Sequence, residues 1–200
     1  DKRKDASISL TEPYFLDKKL SLGGEIFFHE DQYSSSVYNT QRIGFELIAR
    51  KPVTEFSFAR LGYRIEQSEV GGVVSTGTTE AKAISILRSV GAQVKSQIFT
   101  GITYDTRDSL FLTRKGERVD LSTFVTGGPL GGDTQIYGWN LEGSKYFKLK
   151  WDTILTLNAQ FAVVDAWGKN NPAFAADTDS SSRYVPLYDR LFLGGANDLR

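Results

Sequence analysis

Cysteine and methionine are both missing from these 200 residues, and histidine occurs once. Without cysteine there is no disulfide framework, no thiolate metal site and no cysteine nucleophile. Without methionine, even at position 1, the chain is expected to be a piece of a longer polypeptide. Net charge is missing too, because 24 Lys and Arg balance 24 Asp and Glu. A neutral chain sets up no overall field to attract nucleic acid or an anionic membrane surface, so no nucleic-acid partner is expected. No stretch approaches the roughly 20 consecutive apolar residues of a membrane helix, and no signal peptide opens the chain. A membrane β-barrel stays open, because barrel strands carry their apolar residues in alternation.

What is abundant is glycine, 19 residues, together with 12% aromatic side chains, a mixture suited to strands and turns. Alternation of period two, the mark of a strand, recurs along the chain. Ala6, Ile8 and Leu10 oppose Ser7, Ser9 and Thr11; Leu20, Leu22, Gly24, Ile26 and Phe28 oppose Lys19, Ser21, Gly23, Glu25 and His29. Ile43, Phe45, Leu47 and Ala49 continue the scheme, then Ala59, Leu61, Tyr63 and Ile65, whose opposite face carries Arg60 and Arg64. Residues 92–105 read as a strand, as do 119–125, 137–147 and a long apolar face from Trp151 to Val163. The segment AISILRSVG (83–91) fits one or two helical turns or an irregular approach.

About eight strands in hairpin order follow, so the fold class is all-β and antiparallel. LDKK, KPV and KLK make short connections, while those near 30–36, 67–91, 127–133 and 166–186 are longer. Short turns at one end and long loops at the other mark an outer-membrane barrel, with apolar residues outward and a polar lumen. A soluble sandwich inverts the two faces and accounts for the alternation itself equally well. Tyr104, Tyr137, Trp139 and Trp151, near strand ends, suit the aromatic girdles of a bilayer.

Few residues carry chemistry. Asp105 and Asp108 flank Arg107 in YDTRDS, a cluster read as a charged turn that pins strand register, since the regular oxygen-ligand spacing of a calcium loop is missing. His29, the only histidine, has no G-x-S-x-G elbow to serve and reads as a lumen or rim residue. Glu25, Glu46, Glu142 and Asp152 could meet in space as glycosidase carboxylates, but no spacing selects a pair. GGPLGG lacks a phosphate-binding pattern and reads as a hairpin loop. No catalytic residue, cofactor or metal ligand is assigned.

Three longer stretches are more specific. SISLTEPYFLDKKLSLGGEIFF (7–28) resembles the Omp85 superfamily's turn of the form N/E-P-Y/W-F that returns as S-L-G-G. ITYDTRDSLFLTRKGERVDLS (102–122) is similar to its Y-D-x-R-D turn, with Leu112 where the family usually has proline. YDRLFLGGANDLR (188–200) resembles the signature F-x-x-G-G-x-x-x-V/L-R-G-F/Y, cut off after its arginine. They come in the family's order and span nearly the whole chain.

The resemblance implies a sixteen-stranded transmembrane barrel in the bacterial outer membrane, with residues 1–200 as part of one barrel domain. This chain is then strands four to eleven plus the start of the signature loop (166–200), without the periplasmic POTRA domains. Within the superfamily the likeness is greatest to the central subunit of the outer-membrane assembly machine. Its partners are unfolded outer-membrane proteins, accessory lipoproteins and the lipid bilayer. The functional residues it implies are Phe192, Gly194, Gly195, Leu199 and Arg200 in the signature loop, and Tyr104, Asp105, Arg107, Asp108 and Gly116 in the structural turn. It implies no enzymatic activity. The alternatives are a translocator of the two-partner-secretion or TamA-like kind and, from another class, a soluble β-sheet binding module.

Overall fold

A computed structural model describes residues 2–32, 39–71 and 91–168, together with 185, 186, 189 and 191. Eight strands run in sequence order: β1 (Lys2–Glu12), β2 (Ser21–Gln32), β3 (Asn39–Pro52), β4 (Ser57–Gly71), β5 (Gly91–Asp105), β6 (Gly116–Thr126), β7 (Ile136–Lys148) and β8 (Ile154–Ala166). Each pairs antiparallel with its chain neighbours in one sheet ordered β1 to β8. The signature-loop residues Phe192, Gly194, Gly195, Leu199 and Arg200 lie outside the described residues, as do 83–90 of the suggested helical segment.

Register turns the alternation into two continuous faces. Ile26, Phe45 and Ile65 stand side by side across β2, β3 and β4. Ile98, Val125 and Tyr137 do so across β5 to β7, and Leu121, Leu141 and Phe161 across β6 to β8. All are exposed. Taking a fully exposed aliphatic or phenylalanine side chain out of water is worth about 1.5–3 kcal/mol; each of these half-exposed residues keeps a part of that to gain, and a face this large demands a cover. Ion pairs stand at its two rims: Lys4–Glu30 (3.0 Å) at the loop end and Lys145–Glu117 (3.1 Å) at the turn end.

The opposite face is polar and crowded. Glu66, Gln93, Lys95, Thr103 and Asp120 are buried on it, although among the described residues no second layer of secondary structure covers them. At the loop end Asp189, from beyond β8, adds to the cover of Lys95; elsewhere a single sheet buries one face this way by curving toward it. A polar face on the inside and an apolar one outside is the arrangement of a membrane barrel wall, and the reverse of a soluble sandwich.

Three features depart from the sequence pattern. The long apolar face begins at Leu155 and not at Trp151, since β8 starts at Ile154 and the chain turns over 149–153. Trp151 and Asp152 both have positive φ (58° and 54°), as a tight turn closed by the Leu149 N–H to Thr153 carbonyl bond (2.8 Å) requires. Alternation runs through that turn in phase, which hid it. Connection length also segregates less cleanly than the sequence suggested: 106–115, at the turn end, is longer than 33–38 at the loop end.

The third departure is that the inner face holds phenylalanines. Phe27, Phe99 and Phe124 each lie over a glycine directly opposite on the next strand, Gly44, Gly62 and Gly138. A Cβ at Gly62 would stand 2.1 Å from the Phe99 ring. The glycines are therefore seats for aromatic rings.

Candidate functional site

Two places concentrate interactions: the inner face and the turn between β5 and β6. On the inner face, charges pair from strand to strand. Arg60 on β4 donates to Asp120 on β6 (2.7 Å), crossing β5 above Gly101, where a Cβ would stand 2.7 Å from the Arg60 Nε. Thr103 donates to the other Asp120 oxygen (2.5 Å). Arg64 donates to Glu46 through Nε (2.7 Å) and lies over the rings of Phe27 (5.6 Å) and Phe99 (5.9 Å), a cation held by a carboxylate and two aromatic faces.

At the loop end Lys95 on β5 is 6% exposed and Glu66, opposite it on β4, 7%. The Lys95 ammonium is 3.1 Å from Glu66 Oε1 and 2.7 Å from Asp189 Oδ1. Asp189 follows β8 in the chain, 94 residues from Lys95, so this contact seats part of the post-β8 segment on the inner face. Sequence reasoning missed it. Asp189 stands inside the YDRLFLGG stretch, but only the fold shows which cation it meets.

The residues considered for catalysis do not converge. His29 Nδ1 lies 2.7 Å from Asp5, its rung partner on β1. Glu25 and Glu46 face each other across β2 and β3, but Arg64 neutralises Glu46. Glu142, on β7, accepts from Asn140 and Gln160. Asp152 stands in the β7–β8 turn beside Lys148 (3.5 Å). Among the described residues no group of three or more His, Asp or Glu side chains is placed to hold a metal ion.

The turn after Tyr104 is built from its own side chains. Arg107 grips Asp105 through two nitrogens, Nε at 2.9 Å and a terminal NH2 at 2.7 Å. That pair holds the Arg107 guanidinium above its ordinary pKa. Asp108 accepts the backbone N–H of Arg114 (3.0 Å) and of Lys115 (3.3 Å), which hold its carboxyl below the usual value. Thr106 bonds both backbone groups of Glu117. The Asp105 N–H reaches the Phe56 carbonyl (2.8 Å), tying this turn to the β3–β4 turn. Gly116 has φ +107°, and a Cβ there would meet the Thr106 carbonyl at 2.4 Å. Tyr104 is exposed on the apolar face at this end.

A curved antiparallel sheet of this size, polar inside and apolar outside, has close counterparts. The crystal structure of BamA from Haemophilus ducreyi lacking POTRA domains 1–3 superposes with a TM-score of 0.78 at 20% identity, over 99% of this chain and 37% of that one. The outer membrane protein assembly factor BamA of Nitratidesulfovibrio vulgaris is 25% identical over 199 residues, 100% of this chain but 23% of the relative. The chain thus spans about a quarter of the curated relative it matches. Residues 1–200 match the Omp85 superfamily domain, and the chain, built as this sheet and this turn, belongs to the Omp85 superfamily.

Proposed function

We propose that this chain is the back wall of a larger barrel, strands four to eleven of sixteen, in a protein that folds and inserts β-barrel proteins into the bacterial outer membrane. The observation that carries the reading is the likeness to a BamA barrel over 99% of the chain, supported by the sequence likeness to an assembly factor. A translocator built on the same superfamily barrel is the weaker reading, since both named relatives are BamA. A soluble module is at odds with the exposed apolar face.

Assembly of this kind needs no bond-making chemistry. An incoming strand pairs with an exposed sheet edge, and its backbone hydrogen bonds strengthen once water is excluded. Local thinning of the bilayer lowers the insertion barrier. The wall's part is mechanical: a lumen braced by cross-strand ion pairs, a β5–β6 turn that pins strand register through Asp105, Arg107, Asp108 and Gly116, and a seat for the segment after β8. Accessory lipoproteins complete the machine in this reading. The signature residues Phe192, Gly194, Gly195, Leu199 and Arg200 carry the loop that braces the lumen.

The test reconstitutes the full-length parent protein into liposomes and follows the heat-modifiable folding of an added, urea-unfolded outer-membrane protein. Faster folding than in empty liposomes is expected. Transport of a soluble protein into the lumen with no gain in barrel folding would sink the reading in favour of a translocator. In the same assay Arg200→Ala is expected to slow folding.

A further inference from the structure

The zero net charge of the chain conceals a local segregation. The turns 106–115 and 149–153 close neighbouring hairpins at the same end of the sheet, and Arg114 reaches Asp152 across the gap (3.8 Å). Together they present one amphipathic surface. Phe111 is fully exposed and Trp151 94% exposed, with Leu110, Leu112 and Leu149 exposed beside them. Around them stand Arg114, Lys115, Lys148 and Lys150. Asp152 is shared by Arg114 and Lys148, while Lys115 and Lys150 have no carboxylate partner among the described residues. The other acid nearby, Asp108, has an oxygen engaged by backbone N–H groups.

This surface is held in shape. The Ser109 hydroxyl accepts the N–H of Phe111 and of Leu112 (both 3.3 Å), and Thr113 closes back on the Ser109 carbonyl (2.6 Å). The two left-handed residues Trp151 and Asp152 set the second turn. Large apolar side chains displayed on rigid turns in water are costly and mark a contact surface. The patch is also continuous with the lipid-facing apolar side of the sheet through Tyr104, Val119, Phe147 and Leu155, all exposed. The Glu117–Lys145 pair marks the rim between them.

We infer that these two turns form an interfacial anchor, with Phe111 and Trp151 seated at the headgroup–acyl boundary and the flanking cations holding the phosphates of anionic phospholipids. Short turns lie at the periplasmic end of such barrels, so the leaflet is the inner one. Aromatic side chains settle at that depth, and each Lys or Arg near an anionic surface adds attraction worth roughly fivefold in affinity. The inference rests on the reading of the sheet as a membrane barrel wall, and adds to its aromatic girdle a recognition of anionic headgroups by the two turns together, which that reading does not contain.

The experiment uses the full-length parent protein in nanodiscs of phosphatidylcholine with a minority of phosphatidylglycerol. A nitroxide at Phe111→Cys is compared with one at Leu121→Cys, in the middle of the apolar face, and the phosphatidylglycerol retained is counted by native mass spectrometry. A Phe111 label at headgroup depth is expected. A preference for phosphatidylglycerol is also expected, falling at least roughly fivefold per charge in Lys115→Glu/Lys150→Glu. A water-exposed Phe111 label with a buried Leu121 label overturns this inference alone; water exposure at both sites overturns the barrel reading. A label shielded only when a periplasmic partner protein is added assigns the patch to that protein instead, and overturns the anchor. Unchanged lipid retention in the charge variant overturns the headgroup recognition.

Discussion

Replacing Lys95 by methionine removes one charge and leaves two buried acids behind. Methionine keeps most of the aliphatic stem, so packing changes little while the cation between Glu66 (3.1 Å) and Asp189 (2.7 Å) is lost. Both carboxylates have little exposed surface, 7% and 16% of their side chains. Breaking a buried ion pair by removing one partner costs about 3–5 kcal/mol, which is more than a hundredfold in the folding equilibrium at roughly 1.4 kcal/mol per tenfold. Asp189→Asn is a milder change, because Lys95 keeps Glu66; a hydrogen bond to a charged group is worth about 1.5–3 kcal/mol, and the amide retains part of it. The expected order of damage is therefore Lys95→Met well beyond Asp189→Asn. The double variant should be less damaged than the sum of the singles, because one stranded acid has gone. The assay is the temperature at which the full-length protein loses its folded gel mobility, read beside protease cleavage of the segment after β8. Asp189→Asn should open that segment to protease with little change in the melting temperature. Equal damage from the two single variants, or no damage from Lys95→Met, would refute the reasoning.

Gly62→Val drives a side chain into the Phe99 ring, 2.1 Å from where a Cβ would stand, and should cost about 1–3 kcal/mol by overpacking; adding Phe99→Ala should restore part of the loss, and the lack of any rescue in the same gel assay counts against the seat. Gly116→Ala combines φ +107° with a 2.4 Å approach to the Thr106 carbonyl, so it should cost more than the roughly 1–2 kcal/mol of a left-handed alanine and loosen the β5–β6 turn, seen as faster hydrogen exchange at Thr106 and Glu117. The depressed Asp108 carboxyl supports its turn fully above the ordinary aspartate value of 3.8 and loses that support only as pH falls through its own lower pKa. Its carbon resonance in the full-length protein should accordingly titrate below 3.8, and a midpoint at or above that value contradicts the backbone bonds to Arg114 and Lys115.

Much of the wall was legible from residue order, and the failures are instructive. The run from Trp151 kept its alternation across a tight turn, because two left-handed residues there reverse the chain without changing which residues are apolar. The phenylalanines 27, 99 and 124 fall at polar-face positions, and a pattern based on hydrophobicity has no place for them. Their glycine partners sit on neighbouring strands, so the pairing appears only once register is known. For the turn after Tyr104, the spacing of Asp105, Arg107 and Asp108 pointed to a charged turn. Which backbone groups each side chain caps needed the coordinates.

The sequence by itself determined the all-β class, the eight strands and which side chains of each strand share a face, because side-chain direction in a strand alternates locally and depends on nothing distant; which of the two faces points inward came from the burial in the folded sheet. Its three motif stretches also pointed to the Omp85 superfamily. Tertiary structure alone decided that Arg60 crosses β5 above Gly101 to reach Asp120, that Lys95 receives Asp189 across 94 residues, and that two separate turns merge into one basic, aromatic surface. Each depends on the register between neighbouring strands and on the curvature of the whole sheet. Those are set by the sum of many non-local contacts, which no short stretch of sequence contains.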